Sequence, residues 1–143
     1  MTEKPDEQLQ ETLMRIEGGK KQLEALIQQS RVIEAAMVEL NSAVEVLEQV
    51  KKKKIGDEIL VPIGGESFIK VSLKDNENVI AGIGAKVSVE KNIDDAVKTL
   101  KDRAEEIGKT LVKVRENAVS INSQMEELSR SAQEMLENAR AKK

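Results

Sequence analysis

The side chains that usually carry proton transfer, nucleophilic attack or metal ligation are nearly missing, since the sequence has no His and no Cys. General acid–base work near neutral pH would fall to carboxylates or lysines with shifted pKa values, and those need a folded pocket. The lack of Cys removes thiolate ligands and any disulfide framework, which fits a reducing compartment. Two short patterns remain. Gly82-Ile83-Gly84 is half of a dinucleotide fingerprint, but it lacks the third glycine at its spacing and a following helix within a βαβ unit, so strand and turn geometry accounts for it. Lys51-Lys52-Lys53-Lys54 could meet phosphates, yet it closes a helical segment, where cations favour the carbonyl end of the dipole, and no aromatic lies nearby for base stacking. Neither a cofactor, a metal nor an enzymatic reaction is expected.

The composition points to another kind of work. Of the 143 residues, 34% are charged and 1% aromatic, with Phe68 the sole aromatic. A compact globular core would have to be built from aliphatic residues alone, whereas abundant Glu, Lys, Leu, Ala, Gln and Val suit long helices packed side by side. A net charge of −3 argues against nucleic acid as a partner. The longest apolar run, Ile59-Leu60-Val61-Pro62-Ile63, is far too short to span a bilayer, and MTEKPDEQLQ lacks a hydrophobic signal segment. A soluble, cytoplasmic protein without membrane contact is expected.

Two heptad segments dominate. Residues 9–50 place Leu9, Ile16, Leu23, Ser30, Met37 and Val44 at a, and Thr12, Gly19, Leu26, Ile33, Leu40 and Leu47 at d. Residues 93–139 place Ile93, Leu100, Ile107, Val114, Ile121, Leu128 and Met135 at d, and Val97, Ala104, Leu111, Ala118, Met125, Ala132 and Ala139 at a. Such narrow seams indicate a coiled coil. Asn92 is the expected N-cap of the second helix, with Asp94 and Asp95 in its first turn. Gly18-Gly19 is the weak point of the first helix, each glycine costing about 1 kcal/mol.

At 1.5 Å per residue the helices would be about 63 and 70 Å long, matched as an antiparallel pair requires. If Leu47 faces Val97, every layer pairs residues whose numbers add to 144. Ala104 then faces Leu40, Ala118 faces Leu26, Gly19 faces Met125 and Ser30 faces Val114, so small sits opposite large.

Between the helices the period changes. Glu58–Ile63, Ser67–Leu73, Asn78–Ile83 and Ala85–Val89 read as four short strands in two hairpins, broken by Gly64-Gly65 and by Lys74-Asp75-Asn76-Glu77-Asn78. Pro62 cannot donate to a ladder, so its strand is expected at an edge or beside a bulge. Two hairpins at the end of a thin stalk cannot bury their apolar faces. The expected interface residues are Ile59, Val61, Ile63, Phe68, Ile69, Val71, Leu73, Val79, Ile83, Val87 and Val89. Strands of several chains would close one shared core.

The middle block, GDEILVPIGGESFIKVSLKDNENVIAGIGAKVSVEKNIDDAVKTL over residues 56–100, resembles the prefoldin family. ILVPIG followed by SFIKVSL, then VIAGIGAKVSVEKN leading into a helix, is similar to its α class, which has two hairpins where the β class has one. The compact length resembles the archaeal type. Lys86 departs from the family, which often has a second Gly there. The resemblance implies a mainly α chain with a small β part: an antiparallel coiled coil joined by two hairpins that oligomerise into a shared β-barrel. One subunit would comprise a helix over 1–54, hairpins over 55–91 and a returning helix over 92–143.

It further implies a hexamer of two α-class and four β-class subunits. This would be an ATP-independent chaperone holding unfolded polypeptides at coiled-coil tips and passing them to a group II chaperonin. Leu13, Met14 and Leu136 lie off the seam near the helix ends, beside Leu9, Ile16, Leu128 and Met135. Flexible Met suits a surface that repacks around many partners, so the resemblance assigns client contact to these seven. The alternatives are a structural or filament-forming homo-oligomer without clients and, behind it, an RNA-binding arm.

Overall fold

The computed structural model describes residues 5–141; residues 1–4 and 142–143 of the expected helical segments lie outside it. The elements run α1 (Pro5–Lys51), β1 (Glu58–Gly64), β2 (Ser67–Ser72), β3 (Asn78–Gly84), β4 (Val87–Asn92) and α2 (Ile93–Ala141). Asp6 and Glu7 open α1, and Asp94 and Asp95 open α2, where the amide ends of the helices favour negative charge. Asn92 caps α2, its Oδ1 accepting the Asp94 N–H at 2.8 Å. The lysine run outlasts α1. The helix ends at Lys51, the N–H groups of Lys52 and Lys53 donate to the carbonyls of Gln49 and Val50, and Asp57 Oδ2 accepts the Lys54 N–H at 2.9 Å.

The chain forms two compact units, one of residues up to Ala35 with those from Gly108 onward, the other Ala36–Ile107. In the first, Thr12, Leu111, Val114 and Ala132 are buried and the other seam positions half-buried, apart from Ala139. That residue is exposed because it lies past the layer of Leu9 and Met135. Polar seam positions satisfy themselves locally: Thr12 Oγ1 donates to the Gln8 carbonyl and Ser30 Oγ to the Ile27 carbonyl, both at 2.8 Å. Glu34 accepts from Arg115 at 2.6 Å across the helix pair.

In the second unit Val50, Leu73 and Ile93 form a small core, with Leu47, Ile59, Val79 and Val97 packed around it. Glu48 pairs with Lys101 and Lys51 with Asp94. The hairpins prove to be an internal repeat offset by 20 residues: Ile59, Gly64 and Leu73 correspond to Val79, Gly84 and Ile93. Each hairpin bulges just before its turn, at Pro62/Gly64 and Gly82/Gly84. Each is anchored alike, the Leu73 N–H donating to the Asp57 carbonyl and the Ile93 N–H to the Glu77 carbonyl, both at 2.8 Å.

The turns correct one expected strand. Gly65 and Glu66 both have φ near +59°, and Ala85 and Lys86 have φ +50° and +63°, so Ala85-Lys86 is a primed two-residue turn. β4 therefore starts at Val87, not Ala85, and runs on to Asn92. Neither Ala nor Lys favours the left-handed region, so this turn carries no sequence signal.

Candidate functional site

Residues directly opposite in a ladder share a face. In the first hairpin Ile59/Val71 and Val61/Ile69 form one face, and Leu60/Lys70 and Pro62/Phe68 the other. In the second, Val79/Lys91 and Ala81/Val89 oppose Ile80/Glu90 and Gly82/Ser88. Of the interface residues expected from sequence, Ile63, Phe68, Ile69, Ile83 and Val87 are exposed, while Ile59, Val61, Val71, Val79 and Val89 are half-buried. Leu73 is corrected: at 8% exposure it is enclosed with Val50 and Ile93, so its surface is already spent inside this chain. Leu60 and Ile80, outside the expected set, are exposed large apolar residues as well, Ile80 at 81%. Both occupy the same position of the repeat.

Near the other set of expected residues, Leu9, Ile16, Leu128 and Met135 are half-buried in the seam, whereas Leu13, Met14 and Leu136 are exposed. Gly19 and Met125 fix the pairing of this unit, since a Cβ on Gly19 would come within 2.8 Å of Met125 Cγ. In the same unit the ion pair Glu34–Arg115 joins residues whose numbers add to 149, on one flank of the seam. Leu13 and Leu136 add to the same number, so they stand level with each other on that flank.

The electrostatics are structural. Asp75 accepts the N–H groups of Glu77 and Asn78 at 2.8 and 3.1 Å, which holds its carboxyl below the usual value. The Lys51 ammonium is pushed up by its hydrogen bond and charge pairing with Asp94. Among the described residues no cluster of metal-ligating side chains forms, and no helix is long and apolar enough to cross a membrane. The site is thus a set of exposed aliphatic surfaces: paired hairpins with unfilled faces on one unit, and a helix pair with open apolar residues on the other.

Two long helices joined by two such hairpins are the fold of a prefoldin-type subunit. The prefoldin subunit family matches residues 19–138. The chain belongs to that family and to its α class. A Methanoculleus marisnigri prefoldin subunit alpha is 34% identical over 119 residues, covering 83% of this chain and 79% of that one. The Pyrococcus horikoshii subunit alpha is 33% identical over 115 residues, 80% and 78% of the two chains. The Methanopyrus kandleri subunit alpha is 42% identical over 78 residues, 54% of this chain and half the length of that relative. Among solved structures, filamentous PFD from Methanocaldococcus jannaschii shares the fold, with TM-score 0.68 and 18% identity over 82% of this chain and 97% of that one.

Proposed function

We propose that the chain is the α-class subunit of an ATP-independent chaperone. Its hairpins join β-class subunits in a hexamer of two α and four β chains. Its helix ends hold unfolded polypeptides for delivery to a group II chaperonin in the cytoplasm. The observation that carries the client-holding reading is the exposure of Leu13, Met14 and Leu136 beside the half-buried Leu9, Ile16, Leu128 and Met135. An unfolded chain offers scattered apolar groups, and several weak contacts from several subunits add through effective concentration. Assembly is supported by Leu60, Ile63, Phe68, Ile80 and Ile83, large apolar side chains left open on hairpins that are marginal alone. The test is suppression of aggregation when a denatured protein is diluted into the assembled complex, with and without the helix ends.

A homo-oligomeric filament is the second reading, favoured by the shared fold with a structure described as filamentous. The mass of the purified chain, alone and mixed with a β-class subunit, separates the two.

A further inference from the structure

The two flanks of the seam in the first unit are unlike. The flank of Leu13 and Leu136 also carries Lys20, Ile27 and the pair Glu34–Arg115, a mixture of charged and apolar groups. On the opposite flank six positions are carboxamides: Gln8, Gln22 and Gln29 on α1, and Asn117, Gln124 and Asn138 on α2. They recur at heptad spacing, broken only by Arg15 and Ser131, and all are exposed. Coiled-coil flanks ordinarily carry Glu and Lys that pair across the helices. In a chain with 34% charged residues, a flank with Arg15 as its sole charge is a departure that helix packing does not require.

A groove of about 600 Å³ opens on this flank. The half-buried Ile121, Met125 and Leu128 make its floor, and the exposed Gln22, Gln124, Arg15, Ser131 and Glu127 its rim. Gly18 and Gly19 leave it open, since neither brings a side chain and a Cβ on Gly18 would meet nothing within 4 Å. Arg15 is engaged by Glu11 at 3.0 Å. The side chains of the six carboxamides bond to no other described residue.

We propose that this flank binds the main chain of an unfolded polypeptide, its carboxamides bonding peptide groups while the groove takes one large apolar side chain. This rests on the client-holding reading above and names the group by which the client is recognised. A carboxamide carries the donor and the acceptor of a peptide group, and covering it without a partner is costly. A folded protein has already paired its main-chain groups, whereas an extended unfolded segment offers them free. Neutral amides favour neither sign of charge, so recognition by them is independent of client sequence. From Gln8 to Gln29 the track is about 31 Å long, the span of roughly nine residues of extended chain. Single bonds of this kind are weak in water, so they add to the apolar contacts of the helix ends and do not replace them.

The probe is a fluorescent peptide of about ten residues, made of Leu, Ser and Gly with a benzoylphenylalanine at its centre, titrated against the full chain by anisotropy. Methylating alternate main-chain nitrogens of the peptide should weaken binding about fivefold or more, because each methyl removes a donor. Gln22→Ala, Gln29→Ala, Asn117→Ala and Gln124→Ala together should weaken the unmethylated peptide about as much and erase the difference between the two peptides. Ala favours a helix, so circular dichroism should show the fold intact. Irradiation should attach the benzophenone beside Met125, and Gly18→Leu, which fills the groove without displacing the chain's own atoms, should prevent it. Equal binding of the two peptides, or a methylation effect that survives the four Ala exchanges, would overturn the proposal. So would loss of self-association without loss of peptide binding in the Ala variant, which would make a second copy the occupant. If methylation changes nothing while Ser at Leu13, Met14 and Leu136 abolishes binding, only main-chain recognition fails. If the peptide does not bind at all, the client-holding reading fails with it.

Discussion

Met125 lies against the backbone of Gly19, close enough that any side chain at that position would overlap its Cγ and Sδ. Gly18, its neighbour, faces nothing within 4 Å. Two adjacent glycines in one helix thus have opposite reasons to be there. Gly18→Ala should stabilise the protein by about 0.5–1 kcal/mol, the usual gain in helix propensity. Gly19→Ala should lose that gain or reverse it, because Met125 must move. Gly19→Ala combined with Met125→Ala should remove the overlap, leaving the cost of the shortened side chain. Urea unfolding followed by helical circular dichroism checks all three.

The Gly19–Met125 layer also shows why the helices were legible in the sequence. An apolar period of 3.5 residues defines the seam, and small-opposite-large alternation selects one register from those the period allows. The two hairpins were legible as alternating runs, but their ends were not. Ala85-Lys86 looks like strand because it continues the alternation with Val87 and Val89, and only the repeat of Gly65-Glu66 marks it as a turn. Leu73 looked like interface because it continues the Ile69, Val71 face, yet it lies past the end of β2 and packs on Val50 and Ile93. A single strand's pattern cannot say whether its apolar face is covered by its own chain or by another.

The second turn is the place to gain stability. Lys86 sits at φ +63°, a region that costs a side-chain-bearing residue roughly 1–2 kcal/mol. Lys86→Gly should raise stability by about 0.5–1 kcal/mol, part of the relief being offset by the greater freedom of glycine in the unfolded chain. Glu66→Gly in the first turn should act in the same direction, since Glu66 is also left-handed. Thermal unfolding midpoints of the two variants would show no rise if the turns were of another type.

Asp75 gives the linker between the hairpins an acid limit. Because its carboxyl is held below the ordinary value of 3.8, the contribution it makes is present above that value and disappears as pH falls through the depressed one. Asp75→Ala should therefore lower the unfolding midpoint at neutral pH. The gap to the unmodified protein should narrow below pH 3.8. Lys51 runs the other way: raised by Asp94, it contributes fully below its ordinary 10.5 and loses that contribution as pH climbs through the raised value. Lys51→Met should match the unmodified protein only at the alkaline end.

The register itself can be trapped chemically. Leu26 and Ala118 share a layer by the rule that pairs Gly19 with Met125, so cysteines at these two positions should close a disulfide within one chain. Leu26 with Leu111, one heptad away, should not. Non-reducing electrophoresis and the mass of the crosslinked product distinguish an intrachain bond from one between chains, and efficient closure of the off-register pair would shift the seam by two turns.

The helix ends test function rather than fold. Leu13 and Leu136 stand level on one flank of the seam, and Met14, 74% exposed, adds a flexible apolar side chain beside them. None of the three is needed to close a seam layer, because Leu9, Thr12, Ile16, Leu128, Ala132 and Met135 already do so. Replacing all three with Ser should therefore leave helical content and assembled mass unchanged. The same replacement should remove roughly half of the protection a denatured protein receives on dilution, since the contacts are many and individually weak. Deleting residues 1–15 together with 130–143 should remove most of it while the strands, untouched, still assemble. Lys-for-Leu exchange at Leu13 and Leu136 should cost more than Ser exchange, because a charge must be desolvated wherever an apolar client segment lands. Full protection by the doubly truncated assembly would put the client elsewhere, on the flanks of the helices or beneath the hairpins.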